Sequence, residues 1–383
     1  MNIGLATCFL DNYGACLQAY ALQTSLEKTN SKVEIINYIG EYGYEPDRGI
    51  EKFIRNPLFK WVKSKMDSSY KIRNKNHIRF NEFRRKYLKL SPKTFHSLDE
   101  LKKSTHIYDA YVCGSDQIWN PMLYNSNNKV YFLDFVPKDK KRIAYAPSIG
   151  ISAIPEKYQG EMRELLNKMD VLSVREKTGS KIVEKLTGRE CRTVLDPTLL
   201  LSKEEWEGLA CNPQIKEDYI FCYIFGEREY IGDFVRYVHQ KTGLKLVTIP
   251  FTEREKSELY NRVDVAGPED FVGLIKNAKL VITDSFHATA FSVNLNIPFY
   301  TLLRNTNDDK NNMNSRVVDI LNLVGLENRL IRDYQSFPEH IELEMDFTEA
   351  NMRLENKRKD DFAFLSSSLK NEIIGDANED KSL

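Results

Sequence analysis

Residues 278–303 read AKLVITDSFHATAFSVNLNIPFYTLL, and the way this stretch divides decides the fold class. Leu280, Val281 and Ile282 form the short apolar run of a strand buried on both faces. Asp284 and Ser285 stand where a helix N-cap belongs, and His287, Ala290, Phe291 and Asn294 follow at helical spacing. Asn296-Ile297-Pro298 ends the helix, and Phe299 to Leu303 forms the next strand. Strand, tight loop, helix and strand make the unit of a parallel α/β sheet. The helix start offers unpaired N–H groups and the positive end of a dipole, so an anion can sit there with His287 beside it. In open α/β sheets ligands bind at the carboxyl ends of strands, where this loop lies. The same residues also fit an N-capped core helix whose histidine is satisfied internally.

The pattern repeats towards the N-terminus. Asn2–Phe9 reads as strand, Asp11-Asn12-Tyr13-Gly14 as loop, Ala15–Glu27 as helix and Val33–Tyr38 as strand. The first loop lacks GxGxxG, so no dinucleotide is indicated. Ala110–Cys113 is a strand whose exit carries Asp116 and Gln117, residues that also suit an ordinary turn. Trp119 fits either a sugar-stacking platform or the core. Arg142–Pro147 and Val171–Val174 read as strands, Glu156–Met169 and Thr178–Leu186 as helices. Arg175 then repeats the position of His287, a polar group where strand passes to helix. Its guanidinium fork suits a carboxylate or phosphate, or a salt bridge to Glu176 or Glu184.

Residues 202–218 are polar and broken by Pro213, which places a boundary there. Beyond it Tyr219–Phe225, Tyr230–Lys241, Lys245–Ile249 and Glu269–Asn277 alternate as strand and helix. The expected organisation is residues 1–210 as an N-terminal domain, 211–345 as a C-terminal domain, and 346–383 as a helix (about 349–375) with a disordered tail. Arg316 opens the helix Val317–Val324, after an Asn/Asp-rich loop.

A chain of 383 residues exceeds one ordinary core. Its formal net charge of zero gives no global reason to bind nucleic acid. No apolar run approaches the roughly 20 residues of a membrane span. The N-terminus reads as a strand, not a signal peptide. Six cysteines without a CxxC pair argue for reduced cytosolic thiols, with Cys113 and Cys222 as small buried hydrophobes. No cluster has metal-ligand spacing. Residues 51–93 stand apart: fourteen Lys and Arg against three acids, with Phe53, Phe59 and Trp61 interleaved. Such a segment suits an anionic membrane surface or, equally, a solvated helical face.

Six stretches now stand in order: NYGACLQAYALQ (12–23), VCGSDQIWNP (112–121), YAPSIG (145–150), SVREKTG (173–179), VLDPTLLL (194–201) and TDSFHATAFS (283–292). Together they resemble the polysaccharide pyruvyl transferase family, over roughly Asn2 to Leu330. The resemblance implies two Rossmann-like doubly wound domains facing a cleft, similar to the GT-B glycosyltransferase fold. It implies transfer of pyruvate from phosphoenolpyruvate to a sugar of a bacterial surface polysaccharide or its lipid-linked precursor, forming a ketal. No cofactor beyond that co-substrate is expected. The N-terminal domain would hold the acceptor and the C-terminal domain the donor, in a cytoplasmic enzyme working at the inner membrane face.

On the donor side the resemblance lands on Arg175 and His287, with Ser285, Lys177 and Arg316 beside them. Some relatives carry an arginine where this chain has Ser285, and Arg316 or Lys177 is expected to replace that cation. His287 or Asp116 would carry the proton. Asp11, Asn12, Tyr13, Gln117 and Trp119 would face the acceptor. Two other readings fit the same fold. One is a nucleotide-sugar glycosyltransferase, against which stands the lack of any Asp or Glu from Ser285 to Asn307. The other is a non-catalytic sugar-binding member.

Overall fold

The apolar runs become the strands of two parallel sheets. The computed structural model describes residues 1–40, 68–104, 107–123, 126–251, 253–305 and 314–370. In the first sheet β1 (Asn2–Ala6), β2 (Lys32–Ile35), β3 (Ala110–Cys113) and β4 (Lys141–Ala144) lie in the order β2-β1-β3-β4. Val171 bridges to Ile143, and β5 (Ser173–Val174) pairs with β6 (Arg192–Thr193) beyond it. The second sheet runs β12-β11-β10-β7-β8-β9. Its strands are β7 (Tyr219–Tyr223), β8 (Lys245–Thr248), β9 (Tyr260–Arg262), β10 (Leu280–Thr283), β11 (Phe299–Leu302) and β12 (Leu330–Ile331).

These orders fix where a ligand can go. Counted from β7, the second sheet has the 3-2-1-4-5-6 order of the doubly wound fold, which reverses direction between β7 and β10. The first sheet reverses between β1 and β3. At such a point the loops leave to opposite faces and open a crevice at the carboxyl ends of the strands. The two doubly wound sheets present these crevices to one another.

The strands stop earlier than the apolar runs suggest. β1 ends at Ala6, not Phe9, because Gln18 takes over the chain beyond it. The Gln18 side-chain amide donates to Thr7 Oγ1 at 2.8 Å and to the Cys8 carbonyl at 2.9 Å. The stretch read as a polar linker holds a helix, Lys203–Leu209, with a capping box between Ser202 and Glu205. Its Trp206 is fully buried, donates to the Thr198 carbonyl at 2.8 Å and meets Phe291 edge-on at 4.8 Å. The capping signal was visible in the sequence, but surrounding charge masked it. Cys113 and Cys222 are buried in strands, as expected of small hydrophobes.

The described part of the basic segment, residues 68–93, begins with the helix Ser68–Tyr87. It crosses from one domain to the other. Asn76 donates to the Asp264 carbonyl and accepts from the Ala266 amide, both at 2.9 Å. Arg79 pairs with Asp270 at 2.9 Å, and Phe80 and Phe83 are buried. The expectations placed on Phe53, Phe59 and Trp61 lie outside the described residues. The C-terminal helix, Thr348–Leu369, packs against the segment that follows β6. There Asp361 accepts from the Leu195 amide at 2.7 Å, and Arg358 donates to the Leu199 carbonyl at 2.8 Å. The tail expected to be disordered also lies outside the described residues.

Candidate active site

Where the two crevices meet, a cavity of about 200 Å³ lies between them. Its lining comes from the exits of the switch-point strands. Asn12 and Gly14 follow β1, Asp116 and Gln117 follow β3, and Ser285 and His287 follow β10. Arg304 follows β11, and Arg316 opens the helix Ser315–Val324.

The second-domain wall is built on Asp284. Its carboxylate accepts from the Phe225 amide at 3.0 Å and the Gly226 amide at 2.6 Å, tying the exit of β10 to that of β7. Arg304 grips the same carboxylate through Nε at 3.1 Å and a terminal nitrogen at 3.0 Å, with its plane over Phe225. Ser285 caps the helix Phe286–Leu295 by accepting from the Ala288 amide. A helix start leaves its first amides without intrahelical acceptors, and these face the cavity with a positive dipole end.

Arg316 completes this wall. Among the described residues its guanidinium has no ion pair, and its enclosed Nε has no hydrogen-bond partner. Burial, together with the nearby Arg175 cation, pushes its pKa down to about 10, so it stays charged near neutrality. Ser285 and Arg316 both line the cavity.

His287 sits against the first domain. An ideal Cβ on Gly14 would fall 2.1 Å from its Nδ1, so only glycine lets the ring lie there. Nε2 lies 3.8 Å from Asp196 Oδ2. Burial lowers the imidazole pKa most; Asp196 and Asp116 oppose this, while Arg175 and Arg316 add to it. The net shift is downward from 6.5, so the ring is neutral at pH 7.

Asp116 occupies the opposite wall in the left-handed region, at φ 62°, a conformation aspartate tolerates better than most residues. Its carboxylate points towards Arg175 at 3.4 Å.

Of the other expected site residues, several do not reach the cavity. Arg175 is buried behind Asp116, bound to Asp196 at 2.6 Å and under the Phe286 ring at 4.4 Å. Neither Glu176 nor Glu184 is its partner. β5 lies beyond β4, away from the switch point, so its exit stops short. Lys177 is exposed, its backbone amide donating to Asp319 at 2.9 Å. Asp11 faces the basic helix, paired with Arg84 at 2.8 Å and His77 at 2.6 Å. Tyr13 is buried, stacked on Phe271 at 5.0 Å with its hydroxyl donating to the Ala266 carbonyl. Trp119 is fully enclosed, stacked on Phe132, with Nε1 donating to the Tyr131 carbonyl at 3.0 Å. It is a core residue, and no sugar can stack on it.

Arg175 therefore carries a revised expectation. Arg175→Lys keeps the charge but loses the fork that spans Asp196 and Asp116, so stability should fall by about 1–3 kcal/mol. Denaturant unfolding measures this. Donor affinity should fall less than about tenfold, since the group acts from behind the wall.

The sequence profile described as polysaccharide pyruvyl transferase matches residues 12–306. The chain belongs to the polysaccharide pyruvyl transferase family. No curated protein gives a significant match. Among solved structures, the UDP-GlcNAc 2-epimerase from Methanocaldococcus jannaschii is similar at 12% identity and TM-score 0.47, covering 93% of this chain and 92% of that one. The UDP-N-acetylglucosamine 2-epimerase from Rickettsia bellii is similar at 11% identity and TM-score 0.46, covering 96% of each. E. coli heptosyltransferase WaaC with ADP is similar at 11% identity and TM-score 0.41, covering 93% of this chain and all of that one. At these values the architecture of this pyruvyl transferase family member rests on its own sheet orders.

Sequence reading missed three site residues of this family member: Asp196, Asp284 as a strap, and Arg304. The signal was available. Each follows a strand, the criterion that had already singled out Arg175 and His287.

Proposed function

We propose that the protein transfers pyruvate from phosphoenolpyruvate to two hydroxyls of a sugar, closing a cyclic ketal. The observation that carries this reading is Arg316, a half-buried cation with an enclosed Nε and no ion pair among the described residues, lining the same cavity as Arg304 and a helix start. A small ligand with both a carboxylate and a phosphate answers that wall.

The reaction balances as follows. Carbon 3 of the enol gains a proton and becomes a methyl. One sugar oxygen bonds to carbon 2; the second sugar oxygen then displaces phosphate there, breaking the carbon–oxygen bond. Of the two hydroxyl protons released, one passes to solvent, balancing the proton that carbon 3 gains, and the other leaves with phosphate. His287 is the proton donor in this scheme. Asp116, on the opposite wall, accepts from the attacking hydroxyl. Water must be kept from this cleft while the enol is activated, or pyruvate is lost to hydrolysis.

Titration of the protein with phosphoenolpyruvate and, separately, with nucleotide sugars tests the donor. Binding of phosphoenolpyruvate, with phosphate release on adding acceptor sugars, supports the proposal; binding of a nucleotide sugar alone sinks it.

The acceptor is proposed to be a lipid-linked sugar reached at the membrane surface. Among the described residues no helix is long and apolar enough to cross a membrane. On the helix Ser68–Tyr87, the face with Asn76, Phe80 and Phe83 is occupied by protein contacts. Lys71, Lys75 and Arg85 lie exposed at helical spacing on another face, with Ile78 and the Arg79-paired Glu82 between them. That face suits an anionic surface. Co-sedimentation with anionic vesicles should be strong at low salt and lost at high salt. Changing Lys71, Lys75 and Arg85 to Glu should weaken it. Failure of the wild type to sediment at low salt would favour a soluble acceptor.

A further inference from the structure

Behind His287 lies a carboxylate that the proposed chemistry leaves unused. Asp196 follows β6, and its side chain is wholly enclosed. Oδ1 accepts from the Thr198 amide at 3.0 Å and the Thr198 hydroxyl at 2.7 Å. Oδ2 accepts from Arg175 at 2.6 Å and from the Ser115 hydroxyl at 3.1 Å. This same Oδ2 stands 3.8 Å from His287 Nε2, on the other domain. Nε2 is enclosed and has no hydrogen-bond partner among the described residues. From the other side the ring lies against Gly14. A glycine and a carboxylate, both from the first domain, thus bracket an imidazole from the second.

Four charged groups act on the ring. Asp196 and Asp116 favour its protonation, while Arg175 and Arg316 oppose it. Burial opposes it most, and the free ring is neutral. An anionic donor changes that balance. Its phosphate alone brings a charge of about −1.5 to −2, and its carboxylate adds another. The proton that this charge attracts is best held on the imidazole, because Nε2 already faces a carboxylate. A hydrogen bond requires about 2.7–3.2 Å, so a sub-ångström approach completes the pair.

We propose that Asp196 is the positioning residue of His287: it fixes the ring across the domain interface and balances the charge the ring acquires when the anionic donor binds. This rests on the pyruvyl-transfer reading and deepens it. A proton enters from solvent with the donor. Nε2–H is then held by Asp196, and the Nδ1 proton is the one passed to carbon 3. The ring returns to its neutral form as the methyl group forms.

Calorimetry of phosphoenolpyruvate binding to the full chain, in two buffers of different ionisation enthalpy, tests the inference. The wild type should take up close to one proton per donor bound. Asp196→Asn should abolish that uptake. Because this change also strips Arg175 of its partner and endangers folding, Gly14→Ala is the second variant. It displaces the ring while leaving the Arg175–Asp196 pair intact, and it should reduce uptake similarly. In the ligand-free protein, the NMR titration midpoint of His287 should fall in Asp196→Asn. A merely structural Asp196 would alter stability without moving that midpoint. A midpoint unmoved by either substitution overturns the proposal. If the wild type binds no phosphoenolpyruvate, the donor reading fails, while the midpoint still decides whether the pair exists.

Discussion

His287→Asn should lower turnover by about 10²-fold or more while donor affinity changes only a few-fold. Asparagine retains a hydrogen-bonding group at the start of the helix Phe286–Leu295, so anion contact largely survives. What it cannot do is carry a proton. Single-turnover rates measured alongside donor affinity separate the two roles, and a near-normal rate would rule out proton transfer by this residue. Stability should respond to pH in a defined direction. The folded imidazole has its pKa below the unfolded value, so the unfolded chain binds more protons as pH falls through 6.5. Stability is therefore lost on acidification from that point down to the folded value, below which this contribution levels off. His287→Asn should remove that portion of the acid destabilisation, measurable as a flatter profile of unfolding free energy against pH.

The alternation of strand and helix was legible because parallel strands, buried on both faces, read as apolar runs broken by turn residues. The helix start at Ser285 was legible for the same kind of local reason, since its cap lies within a few residues of it. Strand order was not. A sequence shows that Arg175 ends a strand, but only the order β2-β1-β3-β4 shows that this strand lies away from the switch point. Arg175 consequently acts through Asp116 and Asp196, whereas Asp116 and His287, which follow switch-point strands, reach the cavity directly. Trp119 and Tyr13 failed for another reason. A large aromatic beside polar residues has the same local signature in a core as on a sugar platform, and only long-range packing separates the two. For Asp196 the sequence shows a position after a strand but not its partners, because Ser115, Arg175 and His287 are brought to it by both domains.

Arg316→Gln should weaken phosphoenolpyruvate binding by roughly 10- to 100-fold and leave the folded protein as stable or more so. The two effects have one origin. Two other cations beside the cavity are paired: the buried Arg175 with Asp196, and the half-buried Arg304 with Asp284. Breaking such a pair leaves a buried charge uncompensated and destabilises the fold. Arg316 has no ion pair among the described residues, and Arg175 repels it. Burial and Arg175 outweigh the attraction of Glu176 and Asp116, so its charge costs stability in the free protein, and an arriving anion offsets that cost. A hydrogen bond to a charged group contributes about 1.5–3 kcal/mol, which sets the expected loss of affinity. Glutamine removes the charge and retains a donor, so the free protein sheds the strain while the complex loses an ion pair. Thermal unfolding with and without phosphoenolpyruvate reads both quantities. The wild type should gain more in melting temperature from the donor than Arg316→Gln does, with the variant starting level or higher. A variant that is clearly less stable alone, yet binds the donor normally, would make Arg316 a structural residue and leave Arg304 as the donor's cation.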